Sequence, residues 1–343
     1  MVSVTPDHSN HDFKPFARQI VMCCEEPHLI KVEPLPDEPA LAHLHRWLQV
    51  GSYRTKADLD RELQLEISGI PGVGAPGTFL HRIARASHLL PSQYAQRHSM
   101  LGALFPVVGP ADQCAYGEEV EGKAIAASHW RMPRKGAFVC RSCIYDDLHS
   151  SSISWFRRAH QLIGVDWCPV HGEPLACALG HDAFGLLPHV LRGEAQLSDP
   201  VVDVRLPEDG FVRSFVDVSL GLLARTHPAP SAALHQVLRR RASDLGVDGT
   251  GWRKHRLLSD LVADLADEGW LLRHVPQFLH KVMGRQFLRI DKILSQDDSP
   301  AEGASYALAL AALYDSPADA LSAVDGRCGP SSGSPPSGGD PER

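Results

Sequence analysis

Cys140, Cys143, Cys168 and His171 are the side chains of this sequence whose types and spacing could bind a metal. They read C-x2-C, 24 intervening residues, then C-x2-H. Two short knuckles, each offering two soft ligands, can close a tetrahedron around one zinc ion. With protein atoms at all four corners, no position is left for a catalytic water, so the metal expected here holds shape and does no chemistry. Buried free thiols and disulfides are the alternatives. Pro169 inside the second knuckle and Gly172 just after it are turn residues that favour the metal. Cys23, Cys24, Cys114, Cys177 and Cys328 show no comparable pairing. The opening stretch MVSVTPDHSNHDFKPF lacks the apolar centre of a signal peptide, so a reducing, cytoplasmic location is expected, where thiolates stay available for metal.

The elements that must position these residues read as mainly α. Residues 1–24 are polar and aperiodic and are expected to be a mobile tail. A first helix is expected in EPLPDEPALAHLHRWLQVGSY, capped by Asp37, with Leu41, Leu44, His45 and Leu48 on one face and Gly51 as its stop. TKADLDRELQL follows as a second helix behind Thr55, and ISGIPGVGAPG reads as a loop. GTFLHRIARASHLL places Phe79, Leu80, Ile83, Ala84 and Ser87 on one face, and Pro91 opens a further helix that runs to about Pro106. This pair fits a helix-turn-helix or a plain helical hairpin equally well. A small zinc ribbon over 134–175 comes next, and LSDPVVDVRLPEDGFVRSFVD reads as a connector with a strand.

Helices then return. One runs from Ser231 to Gly246. An amphipathic one starting at His255 has Leu257, Leu258, Leu261, Val262 and Leu265 on its stripe. PQFLHKVMGRQFLRIDKIL is expected to bury Leu279, Val282, Met283, Phe287, Leu288 and Ile293. SYALALAALYD reads as buried all round, and SPADALSA as a helix capped by Ser316 with Pro317 at its first position. The chain therefore divides into a helical and ribbon region over 25–190, a C-terminal helical domain over 191–326 and a low-complexity tail over 327–343 that is expected to be disordered.

The net charge of −7 argues at first against a nucleic-acid partner. From Asp297 to the end, however, eight acids face two bases, so the rest of the chain is close to neutral. Two local basic stretches stand out. One holds Arg131, Arg134, Lys135, Arg141, Arg157 and Arg158; the other runs from Arg239 to Arg256. Arg134, Lys135, Arg157, Arg158, Arg253, Lys254 and Arg256 are the candidate phosphate contacts. The structural alternative for Arg157 and Arg158 is stacking on Trp155 or Trp167, or pairing with Asp146 and Asp147. His160 reads as a hydrogen-bonded core residue and not as a ligand. No dinucleotide or Walker motif is present, and no apolar run is long enough to span a bilayer.

The segment WFRRAHQLIGVDWCPVHG resembles the core motif of the TniQ family, which includes the TnsD target-selection proteins of bacterial transposons. Trp155, Arg157, Arg158, His160, Gln161, Leu162, Gly164, Val165, Cys168, Pro169, His171 and Gly172 fall on that motif, whereas Phe156 and Ile163 replace its usual tryptophan and proline. PLPDEPALAHLHRWLQVGS and the helix pair ending at His98-Ser99-Met100-Leu101 resemble the family's opening, and residues from Leu234 to Leu321 resemble its helical extension more weakly. Some members carry a second pair of zinc knuckles. Here Gly180 stands where a second cysteine would be, and Cys177 with His181 cannot close a tetrahedron.

The resemblance implies a non-enzymatic adaptor that recognises target DNA or a guide-RNA complex and recruits an AAA+ ATPase and a transposase. It could act as a homodimer. Two other readings are a helix-turn-helix transcription regulator with a zinc ribbon and a zinc-stapled nuclease. The latter would hold magnesium through Asp146, Asp147, His149 and His160.

Overall fold

The computed structural model describes residues 29–68, 77–118, 122–180, 182–193, 196–198, 208–249 and 256–326. Both expected tails, most of the glycine-rich loop after residue 68, and Arg253, Lys254 and His181 lie outside the described residues. Among the described residues the fold is mainly helical, with three two-stranded pairings. Among the described residues no helix is long and apolar enough to cross a membrane.

The N-terminal region packs α1 (Ala40–Val50), α2 (Lys56–Ser68), α3 (Phe79–Ala86) and α4 (Pro91–His98) around Trp47, Leu59, Leu63, Leu80, Ile83 and Tyr94. The buried face of α1 is not the expected leucine stripe. It carries His43, Leu44, Arg46 and Trp47, while Leu41, His45 and Leu48 are only half-buried. Polar side chains can occupy that face because each is satisfied. Arg46 donates to both oxygens of buried Glu38 (2.9 and 2.7 Å) and to the Glu33 carbonyl (2.6 Å). His43 donates from Nε2 to the Val32 carbonyl (2.6 Å), and its Nδ1 accepts from the Tyr94 hydroxyl (2.8 Å). Asp37 is not the cap of α1, since Pro39 stands at that position.

Burial lowers the pKa of His43 to about 3 and that of His98 to about 4. Both rings are therefore neutral in the fold and take up a proton more readily once unfolded. Stability is complete above the ordinary histidine value of 6.5 and is lost as pH falls toward 4. At about 1.4 kcal/mol per pKa unit, His98 alone accounts for about 3 kcal/mol. Urea titrations at pH 7 and pH 4.5 should show this loss, and His98→Asn should flatten the profile. A flat profile in the unsubstituted protein would count against buried neutral imidazoles here.

The helix expected from Pro91 to about Pro106 is broken. Ser99 is extended, its hydroxyl donates back to the Ala95 carbonyl (2.6 Å), and the chain restarts as α5 (Leu101–Leu104). A short parallel pairing of β1 (Val107–Val108) with β4 (Ala229–Pro230) ties this region to the C-terminal helices.

The ribbon is framed by β2 (Ala137–Val139) and β3 (Ala176–Ala178), antiparallel with Ala137 opposite Ala178. The short α6 (Lys123–Ala126) precedes the ribbon, and between its two strands lie α7 (Arg141–Ser151) and a 3-10 turn over Arg158–Gln161. After α8 (Pro188–Gly193) comes the largest departure from the sequence reading. The stretch read as a connector up to Asp217 gives way at Gly210 to α9 (Gly210–Leu223), whose Phe211, Val212, Phe215, Val216, Val218, Leu222 and Leu223 are buried. Asp209 caps it by accepting from the Val212 amide (2.9 Å). The helical spacing of its apolar positions packs it against α14 (Gly303–Leu313) and α15 (Pro317–Val324), and residues 199–207 of the expected connector and strand lie outside the described residues.

α10 (Ser231–Asp244) and the short parallel pair β5 (Val247–Asp248) and β6 (Arg256–Leu257) lead into α11 (Leu258–Leu265) and α12 (Glu268–His274). The amphipathic helix begins later than expected, and Leu265 at its end is exposed. α13 (Leu288–Asp291) precedes α14, which is buried on nearly every side as its sequence implied. Ser316 caps α15 by accepting from the Asp319 amide (3.1 Å). The main apolar cluster crosses the boundary expected at 190/191: Leu162, Val165, Trp167 and Leu175 of the ribbon share it with Phe215, Trp270 and Tyr306.

Candidate metal centre

Cys140 ends β2 and caps α7, so the first knuckle is a strand-to-helix corner in which the Cys143 amide points at the Cys140 sulfur (3.5 Å). The second knuckle closes with the Gly172 amide donating to the Cys168 carbonyl (2.8 Å) and the His171 amide pointing at the Cys168 sulfur (3.4 Å). The turn between Cys168 and Glu173 is sealed by a backbone bond of 2.7 Å.

These corners bring the four side chains together. Nδ1 of His171 lies 3.4 Å from the Cys140 and Cys143 sulfurs and 3.6 Å from that of Cys168, and the Cys143 and Cys168 sulfurs are 3.7 Å apart. All four ligand atoms fall within 4.8 Å of one another. Tetrahedral bonds of about 2.3 Å to sulfur and about 2.05 Å to nitrogen require edges of roughly 3.8 Å between sulfurs and roughly 3.6 Å from sulfur to nitrogen. The three edges from His171 and the edge between Cys143 and Cys168 match these values, and the cluster's cysteines form no disulfide. The group could hold a metal ion. The three cysteines are buried and His171 is partly exposed.

Outer partners fix the ligands. Asp146 on α7 accepts from His171 Nε2 (3.0 Å), which leaves Nδ1 facing the sulfurs with its lone pair. His160, buried as expected, points Nε2 at the Cys168 sulfur (3.4 Å). Glu173 accepts from the Ser142 hydroxyl (2.7 Å) and sits 3.6 Å from the Cys140 sulfur. Hydrogen bonds from the Cys140 and Cys143 thiols, with a further one from His160, hold the Cys168 thiol far below its usual range. The same contacts with Cys140 and Cys168 push the Cys143 thiol upward. Three sulfurs this close repel one another as thiolates, and a divalent cation is what would let all three ionise.

Three of the candidate phosphate contacts face inward. Arg157 makes a bidentate pair with buried Asp147 (2.9 and 2.6 Å) and lies over the Trp155 ring at 4.7 Å, which is the structural alternative read from the sequence. Arg158 is buried and donates to Asp37 Oδ1 (2.8 Å) and the Ser99 carbonyl (3.1 Å). Arg134 lies over the Phe138 ring at 3.2 Å, donates to the His160 carbonyl, and pairs with Asp166 at 3.7 Å. Burial lowers its pKa to about 9. Arg256 is exposed and bound to Asp264, and Lys135 is exposed.

Removing one partner of the Arg157–Asp147 pair leaves a poorly solvated charge, so Asp147→Ala is expected to cost about 3–5 kcal/mol. A urea midpoint for Asp147→Ala within error of the unsubstituted protein would show that this pair does not hold α7 to the chain after it.

The sequence reading missed Asp37 as a partner and Asp166 as a hub. Burial disfavours the Asp166 carboxylate, but a hydrogen bond from His274 (2.8 Å) and the charges of His274, Arg134 and Arg273 outweigh this and hold its pKa down. Asp166 thereby ties the ribbon to α12. Neither role leaves a local signal, because Arg158 stands 121 residues from Asp37, and Arg273 and His274 stand 107 and 108 residues from Asp166.

The four residues that a nuclease would need do not converge on one ion. Asp146 serves His171, Asp147 serves Arg157, His160 serves Cys168, and His149 stacks on Tyr145 at 4.1 Å between ring centres. Among the described residues, the Cys140, Cys143, Cys168 and His171 group is the one that could hold a metal. Cys177 is buried in β3. Compared with known proteins, the sequence matches no family model and no curated protein.

Proposed function

We propose that this chain is a TniQ-type, non-enzymatic target-selection adaptor whose ribbon is closed by one structural zinc. The donor set of three thiolates and one imidazole suits zinc by softness and by tetrahedral preference, and Cys140, Cys143, Cys168 and His171 through Nδ1 would hold it. Bound there, the ion supplies a cross-link and no reactive position.

The observation that carries the reading is how the motif is used. Arg157 locks α7, and Arg158 locks the N-terminal segment through Asp37. His160 supports a ligand sulfur. Gln161 bonds both the amide and the carbonyl of Phe138 in β2 (3.0 and 2.8 Å). The segment that resembles the family is thus a folding device built around the metal cluster, as suits a recognition module without a catalytic centre.

On this reading the protein acts in the cytoplasm and engages target DNA or a guide-RNA complex. It passes that signal to an AAA+ ATPase and a transposase. Lys135 and Arg256, with Arg253 and Lys254, are the remaining candidates for phosphate contact. The test is reconstitution with an AAA+ ATPase and a transposase of the kind this reading requires. The adaptor should direct insertion to a defined site and leave plasmid intact with magnesium alone. Magnesium-dependent nicking by the purified chain would overturn the reading, and so would insertion that proceeds equally well at random without it.

A further inference from the structure

A cavity of about 480 Å³ opens where α5, the ribbon, α9, α13 and α14 meet. Its floor is apolar, with Leu162 from the ribbon and Phe215 and Leu222 from α9. Its lining also holds three cations, Arg131, Arg289 and Lys292, against one acid, Glu302. Glu302 is bound by Arg289, and the Lys292 ammonium donates to the Pro300 carbonyl (3.0 Å). Arg131 is exposed. In a chain of net charge −7, this is a local excess of positive charge over an apolar floor.

The segment whose last residue, Leu288, runs into the cavity-lining Arg289 was expected to be core. Leu279, Val282, Met283 and Leu288 are instead 71, 53, 55 and 65% exposed, and Leu288 directly precedes Arg289 at the cavity. This loop is held from within. The Asp260 carboxylate accepts from the Gly284 amide (3.1 Å) and from the Lys281 ammonium. Gln286 donates to the Gly249 carbonyl (2.6 Å), and the Phe278 and Phe287 rings pack at 4.8 Å. Four large apolar side chains are thus presented on a fixed loop beside Arg285, which is also exposed. Among the described residues nothing covers them, and an exposed apolar surface of this kind marks an interaction site.

We propose that this cavity and the strip beside it form a docking site for an acidic segment of a partner protein that carries an apolar anchor. The anchor fills the floor over Phe215 and Leu222, and its flanking carboxylates meet Arg131, Lys292 and Arg285. A nucleic-acid backbone would satisfy the cations but leave the apolar floor and strip uncovered, so a peptide fits better. The inference stands on this geometry and does not depend on the adaptor reading.

The test uses the full chain and short fluorescein-labelled peptides read by fluorescence polarisation. One peptide carries a Leu-Phe pair flanked by aspartates. In one control the aspartates are lysines, and in another the Leu-Phe pair is Ser-Ser. The acidic apolar peptide should bind, each control should bind at least about tenfold more weakly, and salt should weaken the binding. Arg131→Glu and Ala304→Trp, which fills the cavity, should each weaken it about tenfold or more. Arg285→Glu and Leu288→Asp lie on the exposed strip and should do so without lowering the unfolding temperature, so they decide the matter even if Ala304→Trp fails to fold. Equal binding of the three peptides, or indifference to Arg131→Glu and Leu288→Asp, would overturn the proposal. So would displacement of the peptide by a DNA duplex whose own binding shows the same sensitivity. Concentration-dependent dimerisation abolished by Leu288→Asp would assign the surface to a second copy of this chain instead.

Discussion

The purified protein is expected to carry about one equivalent of zinc, and Cys168→Ser to lose both the metal and the fold of the ribbon. The Cys168 sulfur lies beside Cys143, His171 and His160 at once, so no neighbour can replace it. A structural zinc site contributes about 10–16 kcal/mol of apparent free energy, as much as or more than the whole stability of an ordinary domain. The damage should spread beyond the ribbon. Cys140, Cys143 and Cys168 sit in the same buried cluster as Phe215, Trp270 and Leu271, and Asp166 anchors the ribbon to Arg273 and His274. Elemental analysis and thermal unfolding with and without a chelator provide the measurement. A metal-free Cys168→Ser protein that melted like its parent would defeat the claim, as would a metal content near zero in folded, unsubstituted material. Acid should mimic the substitution, because thiolates must lose their protons to bind metal and regain them as pH falls.

Gly164→Ala is expected to cost about 2–5 kcal/mol, an unusual toll for adding one methyl group. Gly164 has φ of +80°, a left-handed conformation that costs a residue with a Cβ about 1–2 kcal/mol. The added Cβ would also lie 2.5 Å from the Phe215 ring and 2.7 Å from that of Trp270, which are packed edge-to-face at 5.0 Å. Forcing them apart adds about 1–3 kcal/mol. The Gly164 carbonyl meanwhile accepts from Trp270 Nε1 (3.0 Å), so the turn cannot retreat without breaking that bond. Gly172→Ala is the control: φ is +67° there, but nothing lies within 4 Å of the new Cβ. It should show the conformational cost alone. Urea midpoints at unchanged slope separate the two terms. Equal effects at the two positions would mean that the ribbon does not press on α9 and α12 as described.

Much of the helical content was legible along the chain. Phe79, Leu80, Ile83 and Ala84 repeat at helical spacing and form the buried face of α3. Ser316 and Pro317 start α15, and the unbroken apolar run of α14 is buried. These are local signals of capping and periodicity, and they act within a few residues. The connector read up to Asp217 hid the first half of α9, whose start is marked by the Asp209 cap and whose apolar face is buried against α14 and α15. The segment from Leu279 to Leu288 failed in the opposite sense. Its apolar residues looked like core, but the anchoring of its loop by Asp260 turns four of them outward.

The sequence by itself determined the metal cluster, since a knuckle is a local turn and two residues of spacing set which side chains converge. It also determined which segments would be helical where caps and periodicity agreed. Only the tertiary structure decided what the arginines do. Arg157 and Arg158 are adjacent in the chain, yet one closes on Asp147 ten residues back and the other on Asp37, 121 residues away. An ion pair is set by where folding places its partner, and nothing in the residues beside an arginine records that distance. The same holds for the cavity under Arg131, whose walls come from α5, the ribbon, α9 and α14 and meet only when the chain has folded.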